Sequence, residues 1–182
     1  MRLACLDLEG VLVPEIWQNV AARTGIHELN LTTRDIPDYH RLMQHRLSIL
    51  DAHRITLKEI TDVISNMHPL DGAFEFLRHV QKRMQIVLLS DTYQEFAAPL
   101  MAQLGYPTLF CNSLSVDDQT GMIVAYHLRQ ENGKMHAVRA FRAIGFEVYA
   151  AGDSYNDLTM IREAERGAFF TPPESIVRQH PD

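Results

Sequence analysis

The chain has 182 residues, 46% of them hydrophobic and 22% charged, with 17 basic against 23 acidic residues for a formal net charge of −6. That length fits one domain with an ordinary core and room for an insertion, and the composition excludes disordered, collagenous and low-complexity classes. The acidic balance argues against nucleic acid or an anionic membrane surface as partner, and no stretch approaches the ~20 apolar residues of a membrane span.

Residues 3–8 are a short apolar run that meets the acidic Asp7 and Glu9 and then Gly10, the pattern of a buried strand opening into a polar loop. Pro14 suits the first turn of a helix that Gly25 stops. Asp35 reads as the N-cap of an amphipathic helix, in which Ile36, Tyr39, Leu42, Met43, Leu47 and Leu50 follow helical spacing. Thr56 and Glu59 form a capping box for another helix, ending near Met67. From Pro14 to Met67 the chain therefore reads as helical, without a strand.

After Pro69 the pattern changes. A helix over 71–83 precedes a buried strand over 86–89, and a helix over 94–104 is stopped by Gly105. A strand over 108–111 follows. Two more, over 114–116 and 122–128, flank a turn at 118–121 and predict a hairpin. A helix from Gly133 ends at Gly145. A buried strand over 148–151, a helix over 155–165, a short strand over 168–170 and a last helix over 174–180 complete the chain. Cys5 and Cys111 sit in apolar runs and read as thiols of a reducing compartment rather than a disulfide. Asp7 and Glu9 interrupt the N-terminal apolar run, so it is not a signal peptide and a cytoplasmic location is expected.

Strands alternating with helices predict an α/β fold, a parallel sheet covered on both faces. In such sheets ligands bind beyond the carboxyl ends of the strands. At those ends stand Asp7 and Glu9, then Ser90 and Asp91, then Asp153, Asn156 and Asp157. Lys134, one of only three lysines, starts the helix before the last of these strands. If the strands are neighbours, carboxylates, a hydroxyl and an ammonium converge. Clustered carboxylates call for a cation. Oxygen donors without His or Cys indicate a hard ion, most simply Mg²⁺. Mg²⁺ beside a Lys and a Ser suits phosphate chemistry, with a carboxylate available as nucleophile.

The segments DLEGVL at 7–12, LLSDT at 88–92, Lys134 and AGDSYND at 151–157 resemble, in order and separation, the motifs of the haloacid dehalogenase superfamily of phosphohydrolases. DLEGVLVPEIW, TTRDIPDY, HRLSIL and AGDSYNDLTM resemble more closely its phosphoserine phosphatase/phosphoserine–homoserine phosphotransferase subfamily. The resemblance implies a Rossmannoid three-layer core, residues 1–14 and 71–182, with a small helical cap at 15–70. It implies Asp7 as nucleophile and Glu9 as general acid, then base. It also implies Mg²⁺ held by Asp7, by Glu9 through its backbone carbonyl, and by Asp153, with Asp157 in support. Ser90 and Lys134 would bind the phosphoryl group, Glu15 and Arg46 the amino and carboxylate groups of a small phosphorylated amino acid, and Asp91 and Asn156 would line the pocket.

Glu9 stands where most relatives have Asp, although Glu is usual in the phosphotransferase-like subfamily. Glu15 lies about one residue nearer the nucleophile than in typical phosphoserine phosphatases. The expected reaction is dephosphorylation of O-phosphoserine through an aspartyl-phosphate, with water or homoserine as acceptor. Another small phosphomonoester, and more remotely a non-enzymatic phospho-acceptor module, are the alternatives. A homodimer is kept open. Trp17 reads as packing within the cap. Relatives typically continue past the final helix, so the chain reads as a short form or a truncation.

Overall fold

A computed structural model describes residues 1–33, 35–36 and 38–180. Arg34 and Pro37 of the segment at 32–39, and the terminal Pro181 and Asp182, lie outside the described residues. The strands are β1 (Arg2–Leu6), β2 (Gln85–Tyr93), β3 (Thr108–Val116), β4 (Ile123–His127), β5 (Glu147–Gly152) and β6 (Arg166–Phe169). They form one sheet in the order β4-β3-β2-β1-β5-β6. All neighbours are parallel except β3 and β4, which are antiparallel. The central β1 pairs with β2 on one side and β5 on the other. The carboxyl ends of these three strands are therefore adjacent at the point where chain order reverses, where open sheets hold ligands.

The helices are α1 (Ile16–Thr24), α2 (Tyr39–Ala52), α3 (Leu57–Ile64), α4 (Ala73–Gln81), α5 (Gln94–Gln103), α6 (Gly133–Ala143), α7 (Leu158–Glu163) and α8 (Glu174–Gln179). Strand alternation sorts the core into two layers. Ala4, Leu6, Ile86 and Leu88 face a cluster that includes Ile16 and Val20 of α1, Met43 and Leu50 of α2, Ile60 of α3, Leu77 of α4 and Phe96 of α5. Leu3, Cys5, Val87 and Leu89 face the opposite cluster, with Ala137 and Val138 of α6 and Met160 of α7. The helical insertion after β1 thus shares its core with one face of the sheet. Cys5 is buried and Cys111 partly so, and both are free.

Several boundaries differ from the sequence reading. The helix expected to start after Asp35 begins at Tyr39, with Asp38 as N-cap accepting from the Arg41 N–H at 3.1 Å. Pro37 disfavours helical backbone at Ile36, which moves the start past it. Asp35 instead accepts from the Thr32 N–H at 2.9 Å. The expected strand at 86–89 continues as β2 to Tyr93, with a register shift between Leu89 and Tyr93. The strands expected at 108–111 and 114–116 are one, β3. Its first half pairs with β2 and its second with β4. The helix expected over 155–165 is a 3-10 turn, Tyr155–Asp157, leading into α7. It ends early because the Glu165 N–H is taken by the Val148 carbonyl as the chain enters β6. The capping box of Thr56 and Glu59 is formed as expected.

Candidate active site

The loop after β1 is set by backbone geometry. The Asp7 N–H donates to the Ala151 carbonyl at 2.9 Å, which ties the end of β1 to β5. Gly10 then turns with φ +77°, a left-handed conformation that L side chains rarely adopt. Its N–H donates to the Val13 carbonyl at 2.8 Å, and the Val13 N–H returns to Leu8 at 3.0 Å. A β-carbon on Gly10 would lie 2.4 Å from Asp153 Oδ2, and one on Gly152 would lie 2.2 Å from Asp157 Cγ. Both glycines leave room for carboxylates.

Three carboxylates meet here: oxygens of Asp7, Asp153 and Asp157 lie within 4.8 Å of one another. Asp7 is 4% exposed and Asp157 is fully buried. Lys134, at the start of α6 and 5% exposed, lies between them, with Nζ 2.9 Å from Asp7 Oδ2 and 2.7 Å from Asp157 Oδ1. The second Asp157 oxygen accepts the N–H groups of Asp153 at 3.0 Å and Ser154 at 3.1 Å, which fixes the loop after β5. Asp7 Oδ1 accepts the Leu8 N–H at 2.7 Å.

Electrostatics follow from this crowding. Burial pushes the Asp7 carboxyl well above the usual carboxylate range; Lys134 opposes the shift and Asp157 adds to it. Burial also raises Asp153 to about 6, helped by Asp157 and Glu15. For Lys134 burial works against the charge, yet Asp7, Asp157 and Asp91 outweigh it and hold the ammonium above the usual lysine value. Glu9 is pushed up to about 7, first by burial and then by Glu15, against the Ile16 N–H, the Thr92 hydroxyl and Arg46. Its Oε2 accepts that Ile16 N–H at 2.9 Å, at the start of α1.

A cavity of about 230 Å³ opens over this cluster. Of the residues singled out in the sequence, Asp7, Glu9, Glu15, Arg46, Ser90, Asp91, Lys134, Asp153 and Asn156 line it. Asp157 stands behind them. Ser90 is buried, and its Oγ accepts the Thr92 N–H at 3.2 Å. Asn156 donates to Asp91 Oδ2 at 2.9 Å, bridging the ends of β5 and β2. From α2 comes Arg46, 7% exposed, which donates to the Leu31 carbonyl at 2.8 Å and stacks on the Trp17 ring with Cζ 4.5 Å from its centroid.

Sequence reasoning missed Trp17, Tyr39 and Thr92 as lining residues. Two of them carried a signal. Thr92 is two residues beyond Ser90 on one strand and so faces the same side. Tyr39 is seven residues before Arg46 on one helix and shares its face. The Tyr39 hydroxyl lies 2.8 Å from that of Tyr93, joining α2 to the end of β2.

The arrangement can hold a hard cation on three carboxylates. The donor set is all oxygen, and among the described residues the cation paired with these carboxylates is a lysine. It also presents a carboxylate, Asp7, beside an ammonium and a buried hydroxyl, as capture of a phosphoryl group requires.

Comparison with known proteins places the chain in a family. The haloacid dehalogenase-like hydrolase family profile matches residues 13–162. A phosphoserine phosphatase named ThrH from Pseudomonas aeruginosa is 53% identical over 181 residues, covering 100% of this chain and 88% of that protein. A phosphoserine phosphatase from Pseudomonas syringae pv. tomato is 52% identical over 181 residues, covering 100% of this chain and 76% of that protein. Among solved structures, a phospho-aspartyl intermediate analogue of phosphoserine phosphatase aligns with TM-score 0.80 at 19% identity, covering 98% of this chain and 90% of that one. A substrate-bound phosphoserine phosphatase aligns with TM-score 0.78 at 18% identity, covering 98% and 90%. At these identities the two structures speak for the fold.

Proposed function

The chain belongs to the haloacid dehalogenase-like hydrolase family, and from that premise we propose that it is a Mg²⁺-dependent phosphoserine phosphatase that forms an aspartyl-phosphate on Asp7 and passes the phosphoryl group to water or to homoserine. The observation that carries this reading is the meeting of Asp7, Lys134, Asp153 and Asp157 at the reversal point of the sheet, under a cavity that Arg46 enters from α2. The names of the two bacterial relatives support phosphoserine as the substrate.

Asp7, Asp153 and Asp157 would hold the Mg²⁺, with Glu9 contributing its backbone carbonyl. When bound, the ion supplies positive charge that neutralises the phosphoryl oxygens and the clustered carboxylates. Ser90 and Lys134 hold the phosphoryl group for in-line attack by the Asp7 carboxylate on phosphorus. The bond from phosphorus to the serine oxygen breaks, and Glu9 donates its proton to that oxygen. A carboxyl raised to about 7 keeps a protonated fraction near neutral pH, as a general acid needs. The deprotonated Glu9 then takes a proton from the acceptor hydroxyl as it attacks the aspartyl-phosphate. This regenerates Asp7 and releases phosphate, or phosphohomoserine. Arg46 pairs with the substrate carboxylate, Glu15 with its ammonium, and Asp91 and Asn156 close the wall. Residues 15–70 act as a cap over the core formed by 1–14 and 71–182, and the site of action is the cytoplasm.

The test is incubation of the protein with Mg²⁺ and O-phosphoserine, with and without homoserine. Phosphohomoserine formation establishes transfer, and free phosphate alone establishes hydrolysis. No turnover of phosphoserine under either condition, with turnover of another phosphomonoester, overturns the substrate assignment.

A further inference from the structure

Arg46 is a long, flexible side chain, and its hydrogen bonds do not fix its plane. One terminal nitrogen donates to the Leu31 carbonyl at 2.8 Å. The other is 3.7 Å from the Met43 sulfur, a weak acceptor. Nε is buried and has no hydrogen-bond partner among the described residues. What covers the guanidinium is the Trp17 ring, 4.5 Å from Cζ to centroid.

Trp17 is itself held from the sheet side. It lies on the first turn of α1 and is 9% exposed. The ring of Phe96, on α5, meets it edge-on at 5.5 Å and 71°. Phe96 in turn meets Tyr93 at 5.5 Å and 83°. Tyr93 ends the strand that carries Ser90. A run of buried aromatic rings therefore connects the guanidinium of α2 to the strand that bears the phosphoryl-binding hydroxyl.

We propose that Trp17 is a positioning residue for substrate selection. It holds the Arg46 guanidinium flat so that the fork of N–H groups meets the substrate carboxylate at a fixed distance from the phosphoryl end. The attraction of a cation for an aromatic face supplies the hold. Restricting Arg46 before binding spares the rotamer entropy that a free arginine would lose on meeting the ligand. This inference rests on the assignment of Arg46 to the substrate carboxylate. A ring that only packed would stabilise the fold equally for every substrate.

The experiment compares kcat/KM for O-phosphoserine and for O-phosphoethanolamine, which keeps the phosphate and the ammonium and lacks the carboxylate. The variants are Trp17→Leu, Trp17→Phe and Arg46→Gln. Trp17→Leu is expected to raise KM for phosphoserine roughly 3- to 30-fold, the range of a cation–π contact. The change in kcat is smaller, and the preference for phosphoserine falls by a similar factor. Trp17→Phe, which keeps a ring face, recovers part of that preference. If Trp17→Leu does not accumulate as folded protein, Trp17→Phe alone decides, with a preference between those of the unaltered protein and Arg46→Gln. A Trp17 variant that weakens both substrates alike, or leaves the preference unchanged while Arg46→Gln removes it, overturns the positioning role alone. An Arg46→Gln variant with the full preference overturns both this inference and the carboxylate assignment beneath it.

Discussion

Gly10→Ala separates backbone strain from displacement of the Asp153 carboxylate. Gly10 has φ +77°, and a β-carbon there would lie 2.4 Å from Asp153 Oδ2 and 2.5 Å from its Cγ, closer than real β-carbons approach. Gly25 has nearly the same φ, +73°, and its β-carbon would meet nothing within 4 Å. Both substitutions incur the left-handed backbone cost of an L residue, about 1–2 kcal/mol. For a chain of this size that lowers Tm by about 2–8 °C. Only Gly10→Ala must also push Asp153 away, by roughly 1 Å to reach ordinary contact, and a displacement of that size at a reacting centre costs on the order of 100-fold in rate. The assay pairs thermal unfolding with phosphate release from O-phosphoserine across a Mg²⁺ titration. The expected result is a similar Tm loss in both variants. Only Gly10→Ala should show a ~100-fold fall in kcat/KM and a need for more Mg²⁺. Equal activity in the two variants would refute the reasoning, because the close approach to Asp153 would then have no consequence.

Three further outcomes follow from the same cluster. Asp7→Asn removes the attacking carboxylate and is expected to abolish phosphate release while Tm stays within a few degrees, about one kcal/mol; retained release overturns its role as nucleophile. Lys134→Met leaves Asp7 and Asp157 buried without the ammonium now 2.9 and 2.7 Å away. Its expected cost is about 3–5 kcal/mol in chelator, partly restored by Mg²⁺, and an unchanged Tm in chelator argues against it. The third outcome concerns pH. In the ion-free protein the folded state raises Asp7, Glu9 (to about 7) and Asp153 (to about 6) above their unfolded values. The folded state then binds more protons than the unfolded one between about pH 4 and 7, so stability falls as pH rises through that window. Chelated protein is expected to melt higher at pH 5.5 than at 7.5, with Mg²⁺ reducing the difference; the opposite slope in chelator contradicts the burial effect.

The fold was legible where one physical signal dominated. Apolar runs located β1, β2 and β5, and their polar C-terminal neighbours marked the ligand edge before any strand pairing was known. Thr56 and Glu59 located the start of α3 because both halves of the capping box are local. Legibility failed where tertiary pairing overrode local pattern. Ser90, Asp91 and Thr92 look like the end of a strand, yet β2 continues because Tyr93 pairs with Asn112 of β3. Asn112 and Ser113 look like a break, yet β3 passes through them while changing partner from β2 to β4. Of the nine candidate residues around the cavity, strand order anticipated the gathering of Asp7, Glu9, Ser90, Asp91, Lys134, Asp153 and Asn156, while Glu15 and Arg46 came only from the family resemblance. The aromatic surroundings of Arg46 were not anticipated, since Trp17, Phe96 and Tyr93 meet only after α1 and α5 pack on the same face of the sheet.

The net charge of −6 sits awkwardly with an anionic substrate, because the field at a distance repels it. The proposed chemistry resolves this locally. Within the crowded cluster one lysine, shared by Asp7 and Asp157, offsets one of the three carboxylate charges, and a divalent ion would offset the other two. Arg46 lines the same cavity and is 7% exposed, so water screens its charge weakly and its attraction for a carboxylate is correspondingly strong. Such an arrangement favours a substrate whose two anionic groups reach both places at once. A phosphomonoester without the carboxylate would still meet Lys134 and the ion but leave the arginine buried without a ligand. On the proposed function, selectivity for a phosphorylated amino acid would arise at the site itself, at the cost of long-range attraction, and a rise in ionic strength is expected to weaken binding less than it would for a surface-steered substrate.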